Sequence, residues 1–69
     1  GGNMPCILNA ANEIVVAAFL KNRIGFLQMS DIIENVMQKT TFIKKPTYDD
    51  YVLTDDEARQ ITEKEINQM

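Results

Sequence analysis

The run from Met4 to Leu20 constrains this chain more than anything else in it. Between Pro5 and Lys21 its only polar residues are Asn9, Asn12 and Glu13. The stretch contains no internal Gly, and the spacing predicts a helix. Asn3 is placed to cap it, with a side-chain oxygen accepting a free N–H of the first turn. Pro5 falls where its missing N–H costs little. Steps of three and four put Asn9, Asn12, Glu13, Val16 and Leu20 along one side. Ile7, Ala11, Ile14, Val15, Ala18 and Phe19 cover much of the rest. A helix apolar on most sides is normally buried on most sides. The expectation is therefore a central, mostly buried helix, or a surface that belongs against something outside the chain.

With 69 residues the chain makes one domain over 1–69. A chain of this size buries only about 60% of the surface its unfolded form exposes, which leaves a thin stability margin. Seven basic against ten acidic residues give a net charge of −3. That argues against nucleic acid, whose phosphates need a basic footprint, and gives no attraction to an anionic membrane. The apolar run is too short and too interrupted to span a bilayer. Lys21 and Arg23 follow the run, the reverse of a secretory signal, and the expected compartment is cytoplasmic. Gly1-Gly2 opens straight onto the apolar stretch, as in a domain cut from a longer polypeptide.

Further along, the first helix is expected to end near Lys21-Asn22, since Asn tolerates the left-handed terminating conformation. Arg23 to Leu27 reads as a connector, with Ile24, Phe26 and Leu27 docking on the core. Ser30 reads as the N-cap of a second helix running to about Lys39, with the stripe Ile32, Ile33, Val36 and Met37 facing inward. Thr40 to Pro46 is a loop. Thr47-Tyr48-Asp49-Asp50 resembles a capping box, and Thr54-Asp55-Asp56-Glu57 forms another, T-x-x-E. Whether they open two helices or sit in one bent helix stays open. The last helix carries Ala58, Ile61, Ile66 and Met69, and Asp55 and Arg59 pair at i,i+4. The fold class is all-α: a small antiparallel bundle of three to four helices.

Residues for chemistry are scarce. The sequence has no His, the commonest general base and metal ligand. Its single cysteine, Cys6, sits among apolar residues and reads as a buried inert thiol. The acidic clusters Asp49-Asp50 and Asp55-Asp56-Glu57 lack a calcium-loop pattern and sit where helix N-termini favour negative charge. Asn9, Asn12 and Glu13 are the one constellation left. They are either a solvent face or a hydrogen-bonding group used within the domain or toward a neighbour; no base, nucleophile or metal partner stands beside them.

Leu8-Asn9-Ala10-Ala11-Asn12-Glu13, followed by Val16-Ala17-Ala18-Phe19-Leu20 and Arg23-Ile24-Gly25-Phe26-Leu27, resembles the C-terminal domain of the 1-deoxy-D-xylulose 5-phosphate reductoisomerase family. Gly1-Gly2-x-x-Pro5 in front, the Ile32-Ile33-Glu34 helix, Asp49-Asp50 and Asp55-x-x-Ala58-Arg59 extend the match over almost the whole chain. The resemblance implies a homodimeric parent enzyme with an N-terminal NADPH-binding domain, a central catalytic domain using Mg2+ or Mn2+, and this helical domain. The parent would convert 1-deoxy-D-xylulose 5-phosphate to 2-C-methyl-D-erythritol 4-phosphate by rearrangement and hydride reduction, in isoprenoid synthesis. No position here matches the family's catalytic, cofactor or metal residues.

The expected role is thus a non-catalytic packing module bracing the catalytic domain of the same polypeptide, with Asn9, Asn12 and Glu13 as interdomain hydrogen-bonding residues. That reading requires an exposed apolar patch of more than a few hundred Å². The competing readings are a free-standing helical adaptor or dimerisation module and a small metal-binding protein.

Overall fold

The computed structural model describes all 69 residues. Three helices form the chain: α1 over Met4–Leu20, α2 over Phe26–Lys39 and α3 over Tyr48–Asn67. Each packs on the other two, with no strand, as the all-α reading expected. Contacts between Asn3 and Thr54, Glu13 and Arg59, and Arg23 and Asn67 climb both helices together, so α3 runs parallel to α1. The Lys39–Glu65 and Thr41–Glu57 contacts run in opposite senses, so α2 is antiparallel to α3. The result is an up-down-up bundle of 36 × 17 × 16 Å.

The start of α1 departs from the expected cap. Pro5 lies in the first turn as anticipated, but the Asn3 side chain caps nothing. It is fully buried, and its carboxamide turns away to the loop and to α3. A side chain that satisfies three distant groups is unavailable to its own helix, whose first turn closes instead through Met4 N–H on Gly1 O at 3.3 Å. At the other end the expectation holds. Lys21 N–H closes on Ala17 O and Asn22 takes φ 60°.

Helix α2 starts earlier than Ser30. Gly25 is its N-cap, and the Gln28 side chain reaches back to accept from Gly25 N–H at 2.7 Å. This half of a capping box was hidden because glycine contributes no side chain of its own. Ser30 is an exposed helix-interior residue. Of the three apolar anchors expected in the connector, only Ile24 is buried; Phe26 and Leu27 are 72% and 84% exposed. Early helix entry rotates both outward.

Helix α3 opens on the expected Thr47 box: Asp50 N–H donates to Thr47 Oγ1 and Thr47 N–H to Asp50 Oδ2. The Thr54 box does not cap a further helix, because α3 continues unbroken to Asn67. Nothing between Tyr48 and Asn67 breaks a helix. Its two would-be capping residues, Thr54 and Glu57, serve the fold elsewhere. Thr54 Oγ1, buried, accepts from Asn3 Nδ2 at 2.9 Å, and the Glu57 carboxylate accepts from Thr41 N–H and Oγ1–H at 2.8 and 3.1 Å.

The core is Ile7, Ala10, Ala11, Val15, Ala18, Ile24, Ile32, Val36, Ala58 and Ile66. Four alanines let the helices approach closely, and Ile7, Val15, Ile32 and Val36 fill the space between them. Thr62, also buried, returns its hydroxyl to Ala58 O, so its polarity is met within its own helix. Met69, expected on the inner side of α3, is 58% exposed. The expectation of a mostly buried first helix also needs correcting. α1 touches both other helices, yet only Ile7, Ala10, Ala11, Val15 and Ala18 are buried. Two partner helices cannot enclose a third, and one long side stays open.

Candidate functional site

That open side carries the residues singled out in the sequence. Leu8, Asn12, Val16 and Leu20 follow one another at steps of four, with Pro5, Asn9 and Glu13 beside them, and all seven are exposed. Pro5, Leu8, Asn9 and Asn12 line an open groove of about 460 Å³. Asn9 and Glu13, one turn apart, are brought together: Asn9 Nδ2 donates to Glu13 Oε2 at 3.1 Å. Asn12 stands next to them on the groove wall.

Arg59 of α3 completes the group. Its guanidinium donates to Glu13 Oε1 at 3.2 Å and to Asp55 Oδ2 at 2.9 Å. These two bonds, Asp55 first, hold the Arg59 proton still more firmly than usual. Glu13 is the only ionisable carboxylate on α1, and Arg59 compensates it. Glu13 is therefore the one charged residue on the open side of α1, and it shares the Arg59 guanidinium with Asp55. Leu8, Val16 and Leu20 and two amides are thus exposed together with a single carboxylate.

The apolar surface continues past the end of the helix. Phe19 and Phe26 meet edge to face, ring centres 6.1 Å apart, and Leu20 and Leu27 beside them in the chain are exposed as well. A second exposed set, Tyr48, Tyr51, Val52 and Leu53 with Phe42, lies on the first half of α3 and its loop. Sequence reasoning placed Phe26 and Leu27 in the core and passed over Tyr48 and Val52. A signal did exist at Tyr51-Val52-Leu53, where three consecutive apolar residues cannot all fall on one helix side.

The thiol and most of the other carboxylates are engaged. Cys6 is half-buried rather than enclosed, its Sγ 3.6 Å from Tyr51 O. Burial, then the Asp55 carboxylate, pushes its thiol pKa up, away from the nucleophilic thiolate. Asp50 is held at the α3 cap, Asp55 on Arg59, Asp56 on Gln60, Glu57 on Thr41, Glu63 on Arg23 and Glu65 on Lys39. No three His, Cys, Asp or Glu residues gather as a metal-binding group. No helix is long and apolar enough to cross a membrane.

A profile described as the DXP reductoisomerase C-terminal domain matches residues 1–61. The 1-deoxy-D-xylulose 5-phosphate reductoisomerase of Bacteroides fragilis is 67% identical over 61 residues, 88% of this chain and 16% of its own length. That of Bacteroides thetaiotaomicron is 66% identical over the same span. One from Bacillus cereus is 41% identical over 66 residues, 96% of this chain and 17% of its own. The chain thus spans about a sixth of the length of these relatives. An identity this high over nearly the full chain, together with the profile match, establishes that the chain belongs to the DXP reductoisomerase C-terminal domain family.

Proposed function

We propose that this bundle is a non-catalytic scaffold domain of a 1-deoxy-D-xylulose 5-phosphate reductoisomerase and packs against the catalytic domain of the same polypeptide. One observation carries this reading: the open side of α1 is partly apolar, with Glu13 its one charged residue and Leu20 73% exposed, on a helix that already packs on two others. Burying such a strip is worth about 25 cal/mol per Å², which the isolated chain forgoes. Asn9, Asn12 and Glu13 lie within this strip and would supply hydrogen bonds across the contact, since polar groups entering an interface must be paired. The parent reaction is the rearrangement and NADPH-dependent reduction of 1-deoxy-D-xylulose 5-phosphate, with Mg2+ or Mn2+. The carboxylates held in cap, amide and ion-pair contacts do not fit a metal site, and no residue here is given a catalytic step. The exposed side chains of α1 act by excluding water from the contact and fixing the neighbour in place.

The test is a truncation and reconstitution assay in the full-length enzyme. Deleting the bundle should abolish turnover, and adding it back as a separate chain should restore part of it. Undiminished turnover without the bundle defeats the reading.

A further inference from the structure

The two residues before α1 are held far more tightly than a tether requires. Gly2 sits at φ +60°, and a Cβ on it would lie 2.4 Å from Ile43 O and 3.0 Å from the Phe42 ring. Only glycine fits both the backbone angle and the space. The next residue, Asn3, is fully buried and makes four contacts to distant segments. Its backbone N–H donates to Ile43 O at 3.0 Å and its Oδ1 accepts from Ile43 N–H at 2.8 Å. Its Nδ2 donates to Thr41 O and to Thr54 Oγ1, both at 2.9 Å. The loop it grips is itself fastened to α3 by the two Thr41–Glu57 bonds. Gly1 O is fixed by Met4 N–H, whereas a Cβ on Gly1 would meet nothing within 4 Å.

We infer that Gly2 and Asn3 form a rigid joint that sets the direction in which the preceding polypeptide meets the bundle, and so orients the bundle on the catalytic domain. This rests on the scaffold reading: a C-terminal domain that is a sixth of its relatives' length has the rest of the chain ahead of it. Domains linked by a flexible glycine tether move relative to one another by default. Here Gly2 is part of a hydrogen-bonded turn anchored to both α1 and α3, and its lack of a side chain is required by the packing instead of supplying slack. Asn3 is a positioning residue in this arrangement and touches no reacting group.

The experiment inserts two glycines immediately ahead of Gly1, which leaves every contact of the joint in place. In the 69-residue chain the insertion should not change the thermal midpoint. In the full-length enzyme it should lower kcat by at least about tenfold, as expected when reacting groups are held off position. It should also broaden the distance distribution between one dye on the bundle and one on the catalytic domain. Turnover within about twofold of the unmodified enzyme overturns the joint, and so does lost turnover with an unbroadened distribution. If deletion of the bundle abolishes activity while the insertion is tolerated, the joint fails and the scaffold stands. If deletion is harmless, the scaffold reading fails first.

Discussion

The Asn3 carboxamide donates to the Thr54 hydroxyl at 2.9 Å, linking residues 51 apart in sequence, both of them buried. This bond and its companions to Thr41 and Ile43 join the start of α1, the loop and the middle of α3. Removing the amide strands several buried groups at once. Asn3→Ala should cost about 2–4 kcal/mol, since each unpaired buried group costs about 1–3 kcal/mol and some will recover water. Thr54→Val, which strands one donor, should cost about 1–2 kcal/mol. Urea unfolding followed by circular dichroism measures both, and equal, small losses would contradict the assignment of Asn3 as the hub.

The two glycines should behave oppositely. Gly2→Ala forces a Cβ into Ile43 O and an unfavourable backbone angle, and should destabilise by about 1–3 kcal/mol. Gly1→Ala enters open space and should change stability by less than about 0.5 kcal/mol. In a domain this small, about 1 kcal/mol moves the thermal midpoint by roughly 4–8 °C, well within calorimetric resolution.

Acid should expose the Lys39–Glu65 pair. The Lys39 ammonium, donating at 2.6 Å, and then Asn35 hold the Glu65 pKa below its ordinary value, against the opposing effect of desolvation. The native state then binds fewer protons at Glu65 than the unfolded chain does. Its contribution to stability is present above the unfolded pKa of about 4.3 and lost as pH falls through the lower folded value. Unfolding midpoints between pH 7 and pH 3 should therefore fall less steeply for Glu65→Gln than for the parent chain. Superimposable pH profiles would rule the pair out as an acid-sensitive contact.

Cys6 should be a slow nucleophile. Its raised pKa leaves little thiolate near neutrality, and its sulfur is half covered. Alkylation by iodoacetamide at pH 8 should run several-fold slower in the folded chain than in urea. A folded rate matching the unfolded one would mean that the thiol is freely accessible.

The open side of α1 should tolerate charge in isolation and reject it in the assembled enzyme. Leu20→Lys, at a position 73% exposed, should move the bundle's stability by less than about 0.5 kcal/mol. The same change in the full-length protein should weaken domain packing and lower its thermal midpoint, because an unpaired charge would then be buried. An unchanged midpoint in the full-length protein would place the contact elsewhere.

How much was legible follows the range of the interactions involved. The existence of α1, its end at Asn22, the Thr47 box and the Ile32–Val36 stripe are local matters of periodicity and capping, and they read directly from neighbouring residues. So did the family, because the string from Leu8 to Leu20 is long and distinctive. Asn9, Asn12 and Glu13 stood out as the polar residues of an apolar run, but their exposure, the Asn9–Glu13 bond and the Arg59 bond came only with the structure, the last through the packing of α3 on α1. Asn3, Ser30 and Thr54 each look like a helix cap from their neighbours alone. The fold assigns Asn3 and Thr54 to each other and leaves Ser30 exposed in mid-helix. A local pattern offers a hydrogen-bonding option, and only the three-dimensional arrangement decides which partner competes best for it. Local pattern alone was enough for an all-α chain, the helical character of α1 and the inward stripe of α2, but not for the fate of Phe26, Leu27 or Met69. Tertiary structure decided where α2 begins, that α3 is unbroken, and that one side of α1 stays open, because each depends on groups distant in the chain meeting within hydrogen-bonding or van der Waals reach.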